Sequence, residues 1–401
     1  MSFAMLLAGS NAVYPLLPVY RDMLGLDALL LSLTFSLYVG VLVVALFVLS
    51  RPRWSRFAAG LLLSSLGLMI TSDLLLTHAN EWSILLGRAL GGLACGGGTG
   101  ATSALVVAAI GSRGRAVTST GNAAGAVLGA GGAQLLLMVF ATTAPRTVFM
   151  GHAAAVAALL LGASVVLWWR RAVNQSALAV ALEDTTLRPI ERSAVRLFAT
   201  GTIAWIGVSV AIVFGATAFD ELGQPLVRAV GPVLLLATVS AAQLGSPLIL
   251  RFAPWVSGVF AMTVGVTSIL VGAWFRADAP AIVGFGILGA GLGVAHRAAL
   301  VVLTRQAAPA RQGALASLYA GITYAIAAVV VLAAGWVGRL IGVVPATVVF
   351  LGAIALAAMV ALLWAPRLRE TIGVDQPHRK SGQPKPVDVE QGEVLTQRIA
   401  R

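Results

Sequence analysis

Charge is what this chain lacks. Only 10% of its 401 residues are Asp, Glu, Lys or Arg, where a soluble globular chain carries about 25%. Lysine is confined to Lys380 and Lys385. A single cysteine, Cys95, excludes an internal disulfide and any cysteine cage for a metal. The four histidines, His78, His152, His296 and His378, have no metal-ligand spacing. No G-x-G-x-x-G opens a helix after a strand, and no G-x-x-x-x-G-K-[ST] loop is present. The sequence therefore predicts no enzyme, no cofactor, no metal and no ATP-driven pump. Carboxylates are missing from the middle of every apolar run. Asp22, Asp27, Asp73, Glu81, Asp220, Glu221 and Asp278 fall at run ends, and the other eight of 15 lie in one internal loop and the tail.

Apolar residues make up 59% of the chain. Twelve runs stand out, at about 3–20, 28–49, 57–76, 82–108, 116–139, 147–169, 197–218, 227–250, 254–274, 280–303, 312–335 and 343–365. Each is long enough to cross a hydrocarbon core of roughly 30 Å as a helix. Strands of a membrane barrel would be half as long and would alternate. The first run has no charged residues ahead of it and reads as a span, not a removable signal. With the N-terminus inside, 20 of the 27 basic residues fall in internal loops and the tail, including Arg51, Arg53 and Arg56. Five fall outside, and Arg88 and Arg297 fall within spans. This bias predicts N-in, C-in topology and accounts for most of the net charge of +12, so no nucleic-acid partner is expected. The expected organisation is all-α. A first six-helix bundle takes 1–169, a cytoplasmic linker 170–196, a second bundle 197–365, and a disordered cytoplasmic tail 366–401.

Two features suggest how the helices are used. Gly92, Gly96 and Gly100 recur every fourth residue on one helix face and would let a neighbour approach closely. Arg88 lies one turn before them, about 9 Å from the outer end of its span at 1.5 Å per residue. A permanent cation at that depth is costly and marks a functional site by default. There is also a weak repeat. Gly96-x-Gly98 followed by Ala104-Leu-Val-Val107 matches Gly291-x-Gly293 followed by Ala299-Leu-Val-Val302, at an offset of 195. Repeated halves with a site at their interface are the usual plan of secondary transporters.

The chain resembles the major facilitator superfamily over about residues 3–365, and within it the twelve-span drug:proton antiporter-like exporters. Tyr14-Pro-Leu-Leu-Pro18 leading into Leu24-Gly-Leu26 is similar to the family's first span and outer loop. Arg88-x-x-x-Gly92-x-x-x-Gly96 is similar to its fourth-span motif, whose arginine is associated with proton coupling. Gly121-x-x-x-Gly125-Ala-Val-Leu-Gly129 resembles its fifth-span motif, with Ala126 in place of a proline. The loop Leu49-Ser-Arg-Pro-Arg-Trp-Ser-Arg56 keeps the basic residues of the family's loop motif and lacks its acid and glycine. The resemblance implies two pseudo-symmetric six-helix bundles. Spans 1, 4, 7 and 10 would line a cavity, 2, 5, 8 and 11 would lie beside them, and 3, 6, 9 and 12 would face outward.

Candidate site residues follow from polarity within apolar runs. Arg88 is the first. His296 could relay a proton, with Arg297 beside it. Asn11 and Tyr14 share a helix face. Tyr38, Asn122, Trp205, Gln243, Tyr319 and Tyr324 add amide, hydroxyl or ring groups, since polar groups in lipid seek partners. The peripheral carboxylates, Asp73 included, read as solvated end-caps. The expected function is export of a small organic molecule by alternating access across the inner (plasma) membrane, coupled to protons and carried out by a monomer. Two alternatives stand beside it. One is a facilitator or symporter of a small organic anion, suggested by a cationic interior. The other is a non-transporting receptor on a transporter fold.

Overall fold

A backbone in lipid must satisfy its own hydrogen bonds, and a helix does so within one segment. The computed structural model describes residues 1–49, 54, 57–78, 80–110, 113–169, 192–304 and 309–371. Among these, the long elements are α1 (Ser2–Leu24), α2 (Ala28–Leu49), α3 (Ala58–Leu76), α4 (Glu81–Ile110), α5 (Arg113–Phe140), α6 (Ala144–Trp169), α7 (Arg192–Glu221), α8 (Pro225–Phe252), α9 (Gly258–Trp274), α10 (Asp278–Thr304), α11 (Pro309–Ile341) and α12 (Val343–Ala361). Nine stretches of the described residues are long and apolar enough to cross a membrane, with α5 and α6 merged in one of them. The protein is a multi-pass membrane protein.

The turns are set by local chemistry. Gly25 takes a left-handed conformation (φ 67°) that ends α1, its amide bonding the Arg21 carbonyl at 2.8 Å. Asp27 then caps α2 by accepting the Leu30 amide at 2.8 Å. Asn80 does the same for α4 through the Trp82 amide at 2.9 Å. Pro225 opens α8, where its missing N–H is not needed.

Residues 170–191 and 372–401 lie outside the described residues, and with them most of the expected linker, most of the expected tail, and also Arg51, Arg53 and Arg56. Where those expectations can be compared, the structure differs. Helix α7 starts at Arg192, inside the expected linker. Residues Leu368–Thr371 of the expected tail form a 3-10 turn. The Leu368 amide donates to the Val256 carbonyl at 3.2 Å and the Arg369 amide to the Pro254 carbonyl at 2.8 Å. Leu368 is buried against Ala242 and Val294, which anchors this segment on the α8–α9 loop.

Glycines determine how closely the helices approach. A Cβ on Gly125 or Gly129 would strike the Ala4 or Ala8 carbonyl, so α5 lies directly on the backbone of α1. Helix α4 packs on α2 through Gly92 and Gly96, on α3 through Gly87 and Gly91, and on α1 through Gly98. In the second half, Gly258, Gly265 and Gly272 of α9 mesh with Gly284 and Gly291 of α10 and their neighbours.

These contacts repeat along the chain, at a register other than the expected 195. Gly92 meets the Tyr38 carbonyl and Gly289 the Leu235 carbonyl. Gly96 meets that of Leu42 and Gly293 that of Val239. Gly87 faces Ser72 and Gly284 faces Ile269. Each later residue follows its counterpart by 197 positions. Two residues turn a helix by about 200°. The offset of 195 therefore pairs Gly96, which faces α2, with Gly291, which faces α9. A Gly-x-Gly match in glycine-rich sequence carries too little information to fix a helix face.

Candidate functional site

A cavity of about 130 Å³ lies between the two halves. Helix α1 contributes Leu7, Asn11 and Tyr14, and α2 contributes Phe35, Tyr38, Val39 and Leu42. Asn122, Ala123 and Ala126 come from α5, and Trp205, Val208, Ser209 and Ile212 from α7. The lining is completed by Leu236, Val239, Ser240 and Gln243 of α8 and Tyr324 of α11. None of these residues is charged. The expected lining pattern is corrected in one respect, since α4 and α10 supply no lining residue. The glycine faces of α4 and α10 seat α2 and α8 so closely that the side chains of those two helices stand between them and the cavity. Helices α3, α6, α9 and α12 likewise contribute none.

Of the expected site residues, Asn11, Tyr14, Tyr38, Asn122, Trp205, Gln243 and Tyr324 come together on this cavity. Arg88 is 1% exposed and is not among the lining residues. Its Nε donates to the Thr34 carbonyl and one terminal nitrogen to the Ser10 carbonyl, each at 2.9 Å. The guanidinium carbon stands 4.2 Å from the centre of the Tyr38 ring and 5.6 Å from that of Tyr14. Arg88 thus joins α1, α2 and α4 from behind two tyrosines that do face the cavity. At the equivalent place in the second half, 197 residues on, stands Phe285, packed against Gly215, Gly231 and Phe219.

His296 and Tyr319 are likewise outside the lining. They continue an aromatic stack that starts on it. Tyr324 stacks on Trp205 with centroids 4.8 Å apart, Trp205 on His296 at 5.5 Å, and His296 lies 4.9 Å from Tyr319. The Tyr319 hydroxyl donates to the His296 carbonyl at 3.2 Å. Arg297 donates to the Gln243 carbonyl and so ties α10 to α8. The cation expected beside His296 therefore serves a helix contact in this structure.

Sequence reading passed over Ser240, whose hydroxyl donates across the halves to the Ala123 carbonyl at 3.4 Å. It also misread Asp73. That carboxylate is fully buried, not a solvated cap, and its Oδ2 lies 2.7 Å from Nδ1 of His152. The other ring nitrogen of His152 lies 2.9 Å from the Met5 carbonyl. Asp73 and His152 are 79 positions apart on α3 and α6. A signal was available in the sequence, because an acid and a histidine both sat within apolar runs.

At one end the halves are closed against each other. Arg21 pairs with Glu221, joining the end of α1 to the end of α7. Arg339 pairs with Asp27 at 3.3 Å, joining α11 to α2. Along the same α2–α11 seam the Ser36 hydroxyl donates to the Ala328 carbonyl at 2.8 Å. Gly335 packs on Ser32, Gly338 on Ala28, and Gly321 on Phe47.

A two-half helical body around a central cavity invites comparison with solved membrane proteins. The nucleoside transporter NupG is similar at a TM-score of 0.63 and 12% identity, over 90% of this chain and 96% of that one. The D-xylose–proton symporter is similar at 0.62 and 12%, over 92% and 97%. The chain shares the fold of these solved structures. A bacterial homologue of the human lysosomal transporter Spinster, in an inward-facing and occupied conformation, agrees at 0.63 and 14%, over 90% and 95%. No family model and no curated protein matches the sequence.

Proposed function

We propose that the chain is a secondary transporter of the major facilitator superfamily that moves a small uncharged organic molecule by alternating access. In this reading twelve spans cross the inner (plasma) membrane with both termini inside, as two six-helix bundles acting as a monomer. The direction is export and the coupling ion is the proton. The observation that carries the proposal is the cavity itself. Its rings (Tyr14, Phe35, Tyr38, Trp205, Tyr324) and neutral hydrogen-bonding groups (Asn11, Asn122, Ser209, Ser240, Gln243) lie where the two halves meet. Such a pocket suits a planar or amphipathic molecule and offers no counter-ion to a charged one. The antiporter-like fourth- and fifth-span motifs support proton-coupled export. The organic-anion alternative rested on a cationic interior, and Arg88, His296 and Arg297 do not line this cavity.

The test is flux in proteoliposomes with and without a pH gradient. Uridine, D-xylose and 5-aminolevulinic acid serve as probes, together with benzamide and benzoate as a matched neutral and anionic pair. The expected result is movement of a neutral probe that follows the pH gradient, with benzamide favoured over benzoate. Preference for benzoate would restore the anion reading. Flux indifferent to pH would mean a facilitator, and binding without flux would mean a receptor.

A further inference from the structure

The hydrogen bonds of His152 fix where its protons are. A backbone carbonyl can only accept, so the Met5 contact requires a proton on Nε2. The 2.7 Å contact between Nδ1 and Asp73 Oδ2 then holds one more proton. It sits on the ring as an imidazolium–carboxylate pair, or on the carboxyl as a neutral pair. Either way the two side chains are together uncharged, which suits a site where Asp73 is 0% and His152 9% exposed. Asp73 Oδ1 has no hydrogen-bond partner among the described residues.

The fold does not require this pair. The position equivalent to Asp73, 197 residues on, is Leu270, an apolar residue packed against the core. The first half therefore carries an ionisable pair where the second half packs a hydrocarbon. The pair is also placed to act on the cavity. Gly9 of α1 leaves room for the imidazole, since a Cβ there would lie 2.5 Å from the ring. Met5 and Gly9 thus present one face of α1 to His152, while Leu7, Asn11 and Tyr14 present another to the cavity.

We propose that Asp73 and His152 form a proton-binding site that takes up and releases one proton, and through which the coupling proposed above acts. The inference rests on that reading for its role in transport, and on the geometry alone for its existence. The proton leaves the Nδ1–Oδ2 bond for water, and no electrons move. A carboxylate then faces the lone pair of a neutral imidazole, so the contact opens and the tie from α6 to the Met5 carbonyl loosens. The other titratable groups around the pair are Tyr20 on α1, whose hydroxyl donates to the Leu76 carbonyl at 2.6 Å, and Cys95 and Arg88 on α4. Cys95 is hydrogen-bonded to Ser10 and Leu6, and Arg88 bonds Thr34 and Ser10 through two of its three guanidinium nitrogens.

The site is tested without a substrate. Infrared pH-difference spectra of the full chain in nanodiscs, between about pH 5 and about pH 8, are compared with those of Asp73→Asn/His152→Gln. That double variant keeps the geometry, because the Asn amide donates to the Gln oxygen and the Gln amide to Met5, and it removes the proton. Loss of a carboxyl or imidazole band in the variant is expected, and identical spectra overturn the site. Nitrogen-15 histidine spectra of the wild type provide a check that does not depend on the variant folding. One of the four histidines is expected to keep its Nε2 proton throughout while Nδ1 exchanges its own, and no such histidine would overturn the site. Wild-type flux that ignores a pH gradient would sink the coupling reading and leave these spectra unchanged. Spectra without the pH response would sink the site and leave coupling to another group.

Discussion

Replacing Arg88 by methionine asks whether a buried cation holds three helices together. The side chain makes two charge-assisted bonds, to Ser10 and Thr34, and stands over the Tyr38 ring. Hydrogen bonds to a charged group are worth roughly 1.5–3 kcal/mol each. A desolvated cation–π contact adds about 2 kcal/mol. Against this, burying the guanidinium costs about 3 kcal/mol on insertion scales. The net loss for Arg88→Met is then about 2–5 kcal/mol, since Met fills similar volume and leaves no charge behind. Arg88→Lys should fall between, because an ammonium on a flexible stem cannot fork to both carbonyls. The measurement is unfolding free energy in mixed micelles, wild type against both variants. Buried ions replaced by apolar groups are often neutral or stabilising. A methionine variant as stable as wild type would therefore refute the clamp, and with it the reason given for a cation behind the tyrosines.

Three further outcomes follow from single contacts. Trp205→Ala removes the middle of the Tyr324–Trp205–His296 stack and should raise the KM for whichever probe is carried by about tenfold, near 1.4 kcal/mol. An unchanged KM would place the substrate elsewhere. Gly129→Val drives a side chain into the Ala8 carbonyl and should cost about 1–3 kcal/mol. Gly40→Ala, with nothing within 4 Å, should be neutral or slightly stabilising. Equal melting shifts for the two would argue against the α1–α5 seam. Glu221→Gln breaks the ion pair with Arg21, whose members are 28% and 32% exposed. At no more than about 1 kcal/mol, it should increase labelling of cysteines placed in the cavity from that end by up to about fivefold, and a decrease would contradict the closure.

The helices could be read from the sequence because twelve long apolar stretches leave the backbone few choices. Asn11, Tyr14 and Trp205 could be picked out for a related reason, as polar or amphipathic groups on apolar helices gather where water or a partner can meet them. The direction in which Arg88 points could not. Its depth follows from counting residues, whereas its partners depend on how closely Gly92 and Gly96 bring α2 toward α4. Asp73 and His152 each resemble an incidental residue in one dimension, and only the packing of α3 and α6 against α1 brings them together. The repeat offset was missed by two residues for the same reason. Residue identity alone does not say which side of a helix it occupies.

The two seams between the halves are not alike, and a mechanical consequence follows. Along α2 and α11, glycines and two hydroxyl or ionic ties run from Gly321 beside Phe47 to Arg339 beside Asp27, nearly the full length of α2. Among the described ties along α5 and α8 are the Ser240–Ala123 bond and light packing of Val233 on Gly131. On the alternating-access reading proposed above, a body joined in this way would swing like a book on its bound edge. Staples engineered across the spine, between Ser36 and Ala328, should leave turnover intact. The same staple across the free edge, between Ala123 and Ser240, should stop it.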